Sequence, residues 1–386
     1  MFSSNDLISF IRSYYNDDSF IPLHRPTFDH HEKENVLDTI ESSFVSSVGG
    51  YVNEFEKLLE SYTGATKAVA MVNGTAALHC ALYSAGVEPG DIVITQAVTF
   101  VATCNVIHYL HATPLFIDVN KYSLGLCPDA LSLYLEENAL IDSDGQCRHR
   151  KTSQIIRAIV PMHTFGHPVQ LFELNNVCQK WNIVLVEDAA ESLGSLYKGK
   201  HTGTFGKLAA LSFNGNKIIT TGGGGATLCM DENLGKHVKH LSTTAKVPHP
   251  FEYYHDEVGF NYRMPNLNAA LGCAQVGKLN QFVLSKRELA REYQCFFDGS
   301  KFSFVTEPEY ARSNYWLNAI ICPSKIEKEH LLKETNANGV MTRPLWQLAN
   351  TLPMFEGALR GALPNSEWLI DRVVNLPSTP LEKSCI

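Results

Sequence analysis

The sequence contains no apolar run long enough to span a bilayer and no secretory apolar segment near its N-terminus. It also lacks a long basic run, and its formal net charge of -8 comes from charges scattered along 386 residues. We therefore expect no membrane span and no nucleic-acid partner, because nucleic acids are bound mainly through clustered positive charge. The cytoplasm is the expected compartment.

Metal-binding motifs are missing as well. Ten cysteines are present, but none forms a CxxC pair, and there is no HExxH stretch. The sequence therefore predicts no metal site. Several cysteines lie in apolar surroundings, which favours buried, reduced thiols over disulfides; these are Cys80, Cys104, Cys178, Cys229 and Cys322.

The fold class follows from short apolar runs that alternate with helical segments. A composition of 45% hydrophobic and 19% charged residues is ordinary for a globular enzyme. Strands are predicted at residues 68–72, 91–94, 113–117, 158–160, 184–187 and 209–213, with helices at 75–85, 102–110 and 170–181 between them. This alternation predicts an α/β fold with a mostly parallel sheet covered by helices on both faces.

Three parts are predicted along the chain: an N-terminal extension (residues 1–20), a large α/β domain (21–245), and a long helix with a small α+β domain (246–386). The extension contains a short amphipathic helix at 7–14. A proline-initiated helix is predicted at 128–140, a surface loop at 141–151, the long helix at 267–298, and further strands at 315–322 and 339–342.

The first candidate site follows the first predicted strand, where Asn73 and Gly74 turn the chain and an alanine-rich helix begins. The first N–H groups of a helix have no intrahelical acceptor and carry partial positive charge, so they can bind a phosphate. The hydroxyl of Thr75 would add a donor. The same residues are also typical of a plain helix N-cap.

The second candidate is a pair of carboxylates, Glu187 and Asp188, that directly follows three apolar residues. Asp188 would lie at the carboxyl end of a parallel strand, where α/β sheets bind ligands. An ionised carboxylate there keeps a pyridine nitrogen protonated, and the protonated ring withdraws electrons from the carbon that loses a proton. The alternative is a strand-end aspartate that caps the next helix.

The third candidate begins at Ser212, where a strand ends, and presents Lys217 from a small polar turn before four glycines at 222–225. Glycines allow the backbone to approach a ligand closely. A lysine with reduced proton affinity can attack an aldehyde and form a Schiff base. A solvated surface lysine is the alternative.

Together these three candidates supply what pyridoxal phosphate (PLP) requires: a phosphate site, a carboxylate for the pyridine nitrogen, and a lysine for the aldehyde. The separation between Asp188 and Lys217 leaves room for one connection and one further strand. Both side chains would then meet at the ends of neighbouring strands. The sequence therefore predicts a PLP enzyme whose Schiff-base lysine is Lys217.

These residues resemble the motifs of the DegT/DnrJ/StrS sugar aminotransferases, which are fold-type I PLP enzymes. The resemblance covers residues 21–380, and its further motifs are Thr99-Phe100 and residues 163–168, 187–192, 203–206 and 259–264. It implies a large domain with a mostly parallel sheet between helices and a small C-terminal α+β domain.

The resemblance also implies roles for individual residues. Lys217 would hold the cofactor and move a proton, Asp188 would pair with the ring nitrogen, and Phe100 would stack on the ring. The phosphate site would consist of Asn73, Gly74, Thr75 and Ser212. Glu191, where the family often has Gln or His, would lie near the ring hydroxyl. Asn261 would reach the cofactor phosphate of a partner subunit, which implies a homodimer with shared sites.

Within the family, residues 45–49, 214–217 and 342–346 are similar to the legionaminic-acid and bacillosamine type. Those enzymes aminate C4 of a UDP-linked 4-keto-6-deoxy N-acetylhexosamine for surface glycans, usually with L-glutamate as amino donor. Ser46, Ser47 and Arg343 would then line the nucleotide-sugar side, with Arg343 as a diphosphate contact or, alternatively, in a surface ion pair. His163 would face the sugar or, equally, be a packed strand-end histidine.

Two other functions stay open at this point. One is amination at C3 of a dTDP-linked keto sugar, and the other is a non-catalytic relative that binds PLP as a ligand. Some dehydratases of the family carry His in place of the lysine, so the presence of Lys217 favours transamination.

Overall fold

The computed structural model describes residues 3–381. Its α-helices are α1 Ser4–Tyr15, α2 His30–Glu41, α3 Gly50–Thr63, α4 Gly74–Ser84, α5 Val101–Tyr109, α6 Pro128–Asn138, α7 Leu171–Trp181, α8 Glu232–Ser242, α9 Asn266–Phe297, α10 Lys325–Ala337 and α11 Pro364–Ile370. Its strands are β1 Lys67–Met71, β2 Ile92–Gln96, β3 Thr113–Ile117, β4 Ala139–Ile141, β5 Cys147–His149, β6 Ile156–Val160, β7 Val184–Asp188, β8 Leu196–Tyr197, β9 Lys200–His201, β10 Leu208–Ser212, β11 Gly225–Cys229, β12 Lys246–Val247, β13 Tyr254–His255, β14 Ser303–Phe304, β15 Ala311–Arg312, β16 Asn318–Ile321, β17 Arg343–Pro344, β18 Leu359–Arg360 and β19 Val373–Leu376.

The large sheet has the strand order β1-β11-β10-β7-β6-β2-β3-β18. Neighbouring strands from β10 to β18 run parallel, whereas β11 is antiparallel to both β1 and β10. This confirms the predicted α/β class with a mostly parallel sheet. The order also makes β7 and β10 direct neighbours, as the separation between Asp188 and Lys217 predicted.

Both faces of this sheet are buried, which explains why its strands read as continuous apolar runs. Side chains alternate across each strand, so that Val93 of β2 packs with α4, α5 and α8 while Ile92 and Ile94 pack with α6 and α7 on the other face. The β1–β11–β10 end of that second face is covered by α3 and α9. The large sheet is thus a middle layer between two layers of helices. The helices cover its faces and leave the ends of its strands free to form a site.

The C-terminal region contains a smaller antiparallel sheet with the strand order β14-β16-β19-β17. It packs with α10 and the second half of α9, where Leu289 and Tyr293 are buried. Helix α1 joins the same cluster through Leu7, Ile8 and Ile11. The first residues of the chain therefore pack against the small sheet.

Several local predictions are wrong. Residues 141–151 were expected to be a loop, but β4 and β5 pair as an antiparallel hairpin whose turn is closed by Asp142. Residues 339–342 form no strand; Val340 makes an isolated bridge with Ile21, and β17 begins at Arg343. Strand β18, far along the C-terminal region, pairs with β3 of the large sheet. Such long-range pairing leaves no local sequence pattern.

The predicted N-terminal extension (1–20) and C-terminal part (246–386) each include residues outside the described range. These residues are Met1, Phe2 and 382–386. Across residues 3–381, every helix is too short or too polar to cross a membrane.

Replacing Leu7 with Ala tests the packing of α1. Leu7 is fully buried, so the substitution leaves a cavity and should lower the free energy of unfolding by about 2–5 kcal/mol. The measurement is the midpoint of urea unfolding followed by tryptophan fluorescence. Ile326→Ala, on the exposed side of α10, is the control and should leave the midpoint unchanged. Equal midpoints for both variants would contradict the packing described for α1.

Candidate active site

One cavity of about 400 Å³ opens at the edge of the large sheet where β7 and β10 end. Eight of the predicted site residues line it: Asn73, Gly74, Thr75, Phe100, Asp188, Glu191, Ser212 and Lys217. The remaining lining residues are Leu78, Ala102, Met162, Ala190, Asn214, Asn216, Gly223, Gly224, Trp316 and Trp346. Parallel strands bring their carboxyl ends to one edge, which is why residues far apart in sequence meet here.

The start of α4 forms one wall of this cavity. Asn73 is its N-cap, and its Oδ1 accepts a hydrogen bond from the backbone N–H of Ala76 at 2.7 Å. Gly74 lies against Ser212, since a Cβ atom on Gly74 would come within 2.8 Å of the Ser212 Cβ. Only glycine fits this approach, and the helix start and the Ser212 hydroxyl together make a site suited to an anion.

Asp188 ends β7 and is almost completely buried. Its Oδ2 accepts a hydrogen bond from Thr103 Oγ1 at 2.7 Å, and its Oδ1 accepts one from the N–H of Ala190 at 3.2 Å. Both bonds hold the orientation of this side chain in the cavity. Thr103 lies on α5 and was not identified from the sequence.

Lys217 is held from two sides. Its Nζ lies 3.4 Å from Glu191 Oε1 and 4.1 Å from the centroid of the Trp316 ring. Trp316 in turn donates a hydrogen bond from Nε1 to the carbonyl of Asn216 at 2.7 Å, which connects the lysine turn to the C-terminal region. The amine therefore has a carboxylate on one side and an aromatic face on the other.

Glu191 is buried beside that amine. Its Oε2 accepts a hydrogen bond from the N–H of Phe165 at 2.9 Å. Burial raises the pKa of Glu191 to about 7, although the positive charge of Lys217 opposes this shift. This carboxyl group therefore changes its charge near neutral pH, 3.4 Å from the lysine amine.

Aromatic rings close the opposite side of the cavity. Phe100 is 49% exposed and its ring centroid is 6.2 Å from that of Trp346, in an edge-to-face arrangement. Trp346 also packs on the buried Phe165 at 5.3 Å. The open face of Phe100 is compatible with the predicted stacking on a flat ring.

His163 does not line this cavity. It is fully buried, its Nε2 lies 3.0 Å from Glu187 Oε2, and its Nδ1 accepts a hydrogen bond from the N–H of Val169 at 3.2 Å. Because Nδ1 accepts, Nε2 must be the donor to Glu187. Both ring nitrogens are used within the protein, which matches the packed alternative and gives no support to a sugar-facing role.

The other four predicted residues also lie away from the cavity. Ser47 lines a separate cavity of about 580 Å³ with Arg263 and Lys246. Asn261 is exposed and accepts a hydrogen bond from Arg263 Nε at 3.1 Å. Ser46 and Arg343 are likewise exposed, with Arg343 donating to Asn336 Oδ1 at 3.1 Å rather than to a carboxylate.

The family assignment comes from comparison with known proteins. The model of the DegT/DnrJ/EryC1/StrS aminotransferase family matches residues 26–383. The chain is 33% identical over 361 residues to GDP-perosamine synthase of Escherichia coli O157:H7, covering 94% of each chain. The chain belongs to the DegT/DnrJ/EryC1/StrS aminotransferase family. It is accordingly a PLP-dependent sugar aminotransferase.

Solved structures agree with this fold. Spr1654 of Streptococcus pneumoniae in its PLP form superposes with a TM-score of 0.83 at 23% identity, covering 95% of each chain. PseC of Helicobacter pylori, an aminotransferase of pseudoaminic acid biosynthesis, gives a TM-score of 0.83 at 23% identity and covers 93% of each chain. At this level of identity the likeness establishes the fold-type I architecture.

The residues of the cavity fit PLP. The cofactor requires an anion site, an anionic partner for its ring nitrogen and an amine for its aldehyde. The start of α4, the carboxylate of Asp188 and the amine of Lys217 supply these three groups within one cavity. Gly225 strengthens the fit, because a Cβ atom there would lie 2.5 Å from the backbone of Asn73 and displace the turn that begins α4.

Sequence reasoning missed Thr103, Trp316 and Trp346. Thr103 lies in the first turn of α5, and its hydroxyl is 3.0 Å from that of Thr99, which belongs to a motif identified from the sequence. The two tryptophans come from the C-terminal region, and no local pattern connects them to Lys217. Their contribution depends entirely on how the small sheet packs against the large one.

The raised pKa of Glu191 predicts a pH effect on stability. A carboxyl group whose pKa rises from 4.5 to about 7 on folding binds its proton more tightly in the folded protein. The contribution of this carboxyl group to the free energy of unfolding is therefore greatest below pH 4.5, and it is lost as the pH rises towards 7. Compared with Glu191→Gln, the wild-type apoprotein should lose unfolding free energy across this interval, as measured by urea titrations at successive pH values.

Glu356→Gln removes an exposed carboxylate instead and serves as the control for net charge. Its difference from wild type should stay constant over the same interval. If Glu191→Gln and Glu356→Gln gave parallel curves, the proposed protonation of Glu191 near neutral pH would be wrong.

Proposed function

We propose that this enzyme transfers an amino group from L-glutamate to C4 of a nucleotide-linked 4-keto-6-deoxy sugar, with a UDP-linked N-acetylhexosamine as the favoured acceptor and surface-glycan biosynthesis as its context. The observation that carries the proposal is the convergence of Lys217, Asp188 and the start of α4 in one cavity. The sequence motifs shared with the legionaminic-acid and bacillosamine type support the choice of C4 and of the acceptor.

PLP, when bound, supplies an electron sink for the carbon that loses a proton. The carboxylate of Asp188, fixed by Thr103 and Ala190, holds the proton on the ring nitrogen. The Nζ of Lys217 is the base that takes a proton from the donor amino acid and returns one to the sugar carbon. Glu191 accepts or releases a proton next to this amine, because its pKa is raised to about 7.

Binding of the substrate anions requires positive charge near the cavity in addition to Lys217. Among the described residues that line it, Lys217 carries the one basic side chain. Glutamate has two carboxylates and a nucleotide sugar has a diphosphate, whereas Lys246, His249 and Arg263 lie together around the second cavity with Ser47. We propose that this basic surface serves the cavity of a partner subunit in a homodimer, with Asn261 beside it.

Exposed apolar side chains on the same side support a homodimer. Phe44, Val45 and Val48 are exposed next to Ser46 and Ser47, and Phe251, Tyr253 and Tyr254 are exposed beyond Lys246. A second copy of the chain would cover these groups and remove apolar surface from water. In the same arrangement Arg343 is proposed to contact the diphosphate of the substrate.

Replacing Lys217 with Ala should lower amination by at least roughly 10²–10⁴-fold, the size of a general acid–base contribution. Amination is measured as glutamate-dependent conversion of the keto sugar. Lys200→Ala, which removes an exposed lysine on β9, should retain full activity. Unchanged activity of Lys217→Ala would overturn the assignment of the catalytic lysine.

The acceptor is identified by a spectroscopic titration. The protein is loaded with PLP and converted to its pyridoxamine phosphate form with L-glutamate, which changes the absorbance of the cofactor. Keto sugars linked to UDP, GDP and dTDP are then added separately, GDP being included because a relative is named GDP-perosamine synthase. The UDP sugar should restore the PLP absorbance, and product NMR should place the new amine at C4.

Amination at C3 of the dTDP sugar would favour the alternative acceptor. A protein that binds PLP but shows no change with glutamate would favour the non-catalytic alternative. Restoration by the GDP sugar alone would keep C4 transamination and correct the nucleotide.

Shared active sites are tested by mixing two inactive variants, Lys217→Ala and Asn261→Ala, under conditions that exchange subunits. In a mixed dimer, one of the two sites has both native residues, so statistical mixing should restore about a quarter of the wild-type activity. Each variant incubated alone is the control. Activity that stays at the level of the separate variants would contradict the assignment of Asn261 to the partner's site.

A further inference from the structure

Two histidines and two carboxylates converge at the base of a surface arm, defined here as residues 244–260. His237 and His240 lie three residues apart on α8 and therefore share a face of that helix. They point at Asp256 and Glu257, which follow β13 in the arm. The cluster lies outside the cavity that holds Lys217 and Asp188.

The distances within this cluster are short. His240 Nε2 is 2.6 Å from Asp256 Oδ1 and 3.8 Å from Glu257 Oε1, and His237 Nε2 is 2.9 Å from the same Glu257 oxygen. The ligand atoms of His240, Asp256 and Glu257 all lie within 4.8 Å of one another. In a tetrahedral zinc site with bonds of about 2.0–2.1 Å, neighbouring ligand atoms are roughly 3.3 Å apart. The atoms of His240, Asp256 and Glu257 thus lie close enough to surround one ion after side-chain adjustment, and His237, which contacts the same Glu257 oxygen, would be the fourth ligand.

The chemistry of the cluster also suits a metal. Imidazole nitrogens and carboxylate oxygens are ligands of zinc and other first-row divalent ions. Across residues 3–381, the side-chain nitrogens within 4.0 Å of the Asp256 and Glu257 carboxylates belong to these histidines, with no lysine or arginine nitrogen among them. The nearby lysines are engaged elsewhere, Lys236 with Glu232 and Lys239 with Glu56. The two carboxylates therefore have imidazole rings, and no ammonium or guanidinium group, as their neighbours.

A second cluster provides a contrast. Asp29, His30 and His31 also place ligand atoms within 4.8 Å of one another. However, the ammonium group of Lys278 lies 3.3 Å from Asp29 Oδ2 and also contacts Glu32. A cation of the protein already occupies that position, so a metal ion would have to displace it.

We propose that His237, His240, Asp256 and Glu257 form a binding site for one divalent transition-metal ion, with zinc as the best match. This site goes beyond the aminotransferase reaction and takes no part in its chemistry. Its role is mechanical: the ion would join α8 to the returning limb of the arm.

The proposed metal site lies close in the chain to Asn261, the residue proposed to reach the partner's cavity. The arm closes on itself where the N–H of Thr244 donates to the carbonyl of Phe260 at 3.0 Å, and Asn261 follows directly. Glu257 precedes Asn261 by four residues. A metal bond to Glu257 would therefore restrict the limb that positions Asn261 and Arg263.

The first test measures zinc binding to the PLP-loaded protein, purified without an affinity tag and stripped with EDTA. Isothermal titration with ZnCl₂, checked by metal analysis after dialysis, should give one zinc ion per chain. His240→Ala and the isosteric Glu257→Gln should each lower the affinity by at least about tenfold. His30→Ala, in the contrasting cluster, should bind as wild type does.

The second test measures the arm itself. Hydrogen exchange of the backbone amides of residues 256–260 should be slower in the wild-type protein with ZnCl₂ than with EDTA, while Glu257→Gln should show equal rates in both. The proposal is overturned if zinc does not bind, if His240→Ala and Glu257→Gln bind it as wild type does, or if His30→Ala is the variant that loses it. These outcomes are independent of the amination assays, so failure here leaves the proposed reaction unaffected.

Discussion

The buried carboxylate of Glu187 is the constraint on which the arrangement around the cofactor cavity depends. It is fully inaccessible to water, so its charge requires internal donors. The donors are the N–H groups of Gly203, Phe205 and Gly206 at 2.7–2.8 Å and the ring of His163 at 3.0 Å. Burial opposes ionisation of Glu187, but these hydrogen bonds outweigh it and lower its pKa. One charge thereby fixes the turn before β10, the strand end at β7 and the segment after β6.

Asp188, the next residue, points the other way because side chains alternate along a strand. The same backbone thus presents one carboxylate to the interior and one to the cavity. Parallel pairing of β7 with β10 then brings Lys217, beyond the end of β10, to the same edge as Asp188. The C-terminal region completes this edge with Trp316, which contacts the lysine amine and holds its turn through Asn216. The positions of the charged groups in the cavity therefore depend on β7, on the turn after β10 and on the C-terminal region.

Much of the fold and about half of the site followed from local patterns. The strand at Thr113–Ile117 and the helix that precedes Val184 have strong periodicity and turn signals, and their predicted bounds agree with the structure to within a residue. Asn73, Asp188 and Lys217 were recognisable because each lies just past an apolar strand run, Asn73 directly and the other two after one or a few polar residues. His163 was ambiguous because a strand-end histidine has the same sequence context whether it faces a ligand or, as here, bonds to Glu187 and the Val169 backbone.

The sequence by itself determined the alternation of the main strands and helices, the class of the fold and the chemistry of the cofactor, because strand and helix periodicity and strand-end polar residues are local properties. Only the tertiary structure decided that β18 joins the large sheet, that α1 packs on the small one, and that Trp316 supports Lys217. It also decided which carboxyl group changes its charge near pH 7, since the pKa of Glu191 depends on its burial and on a lysine 26 residues away. These contacts join residues distant in the chain, and their energies arise only when packing excludes water from between them.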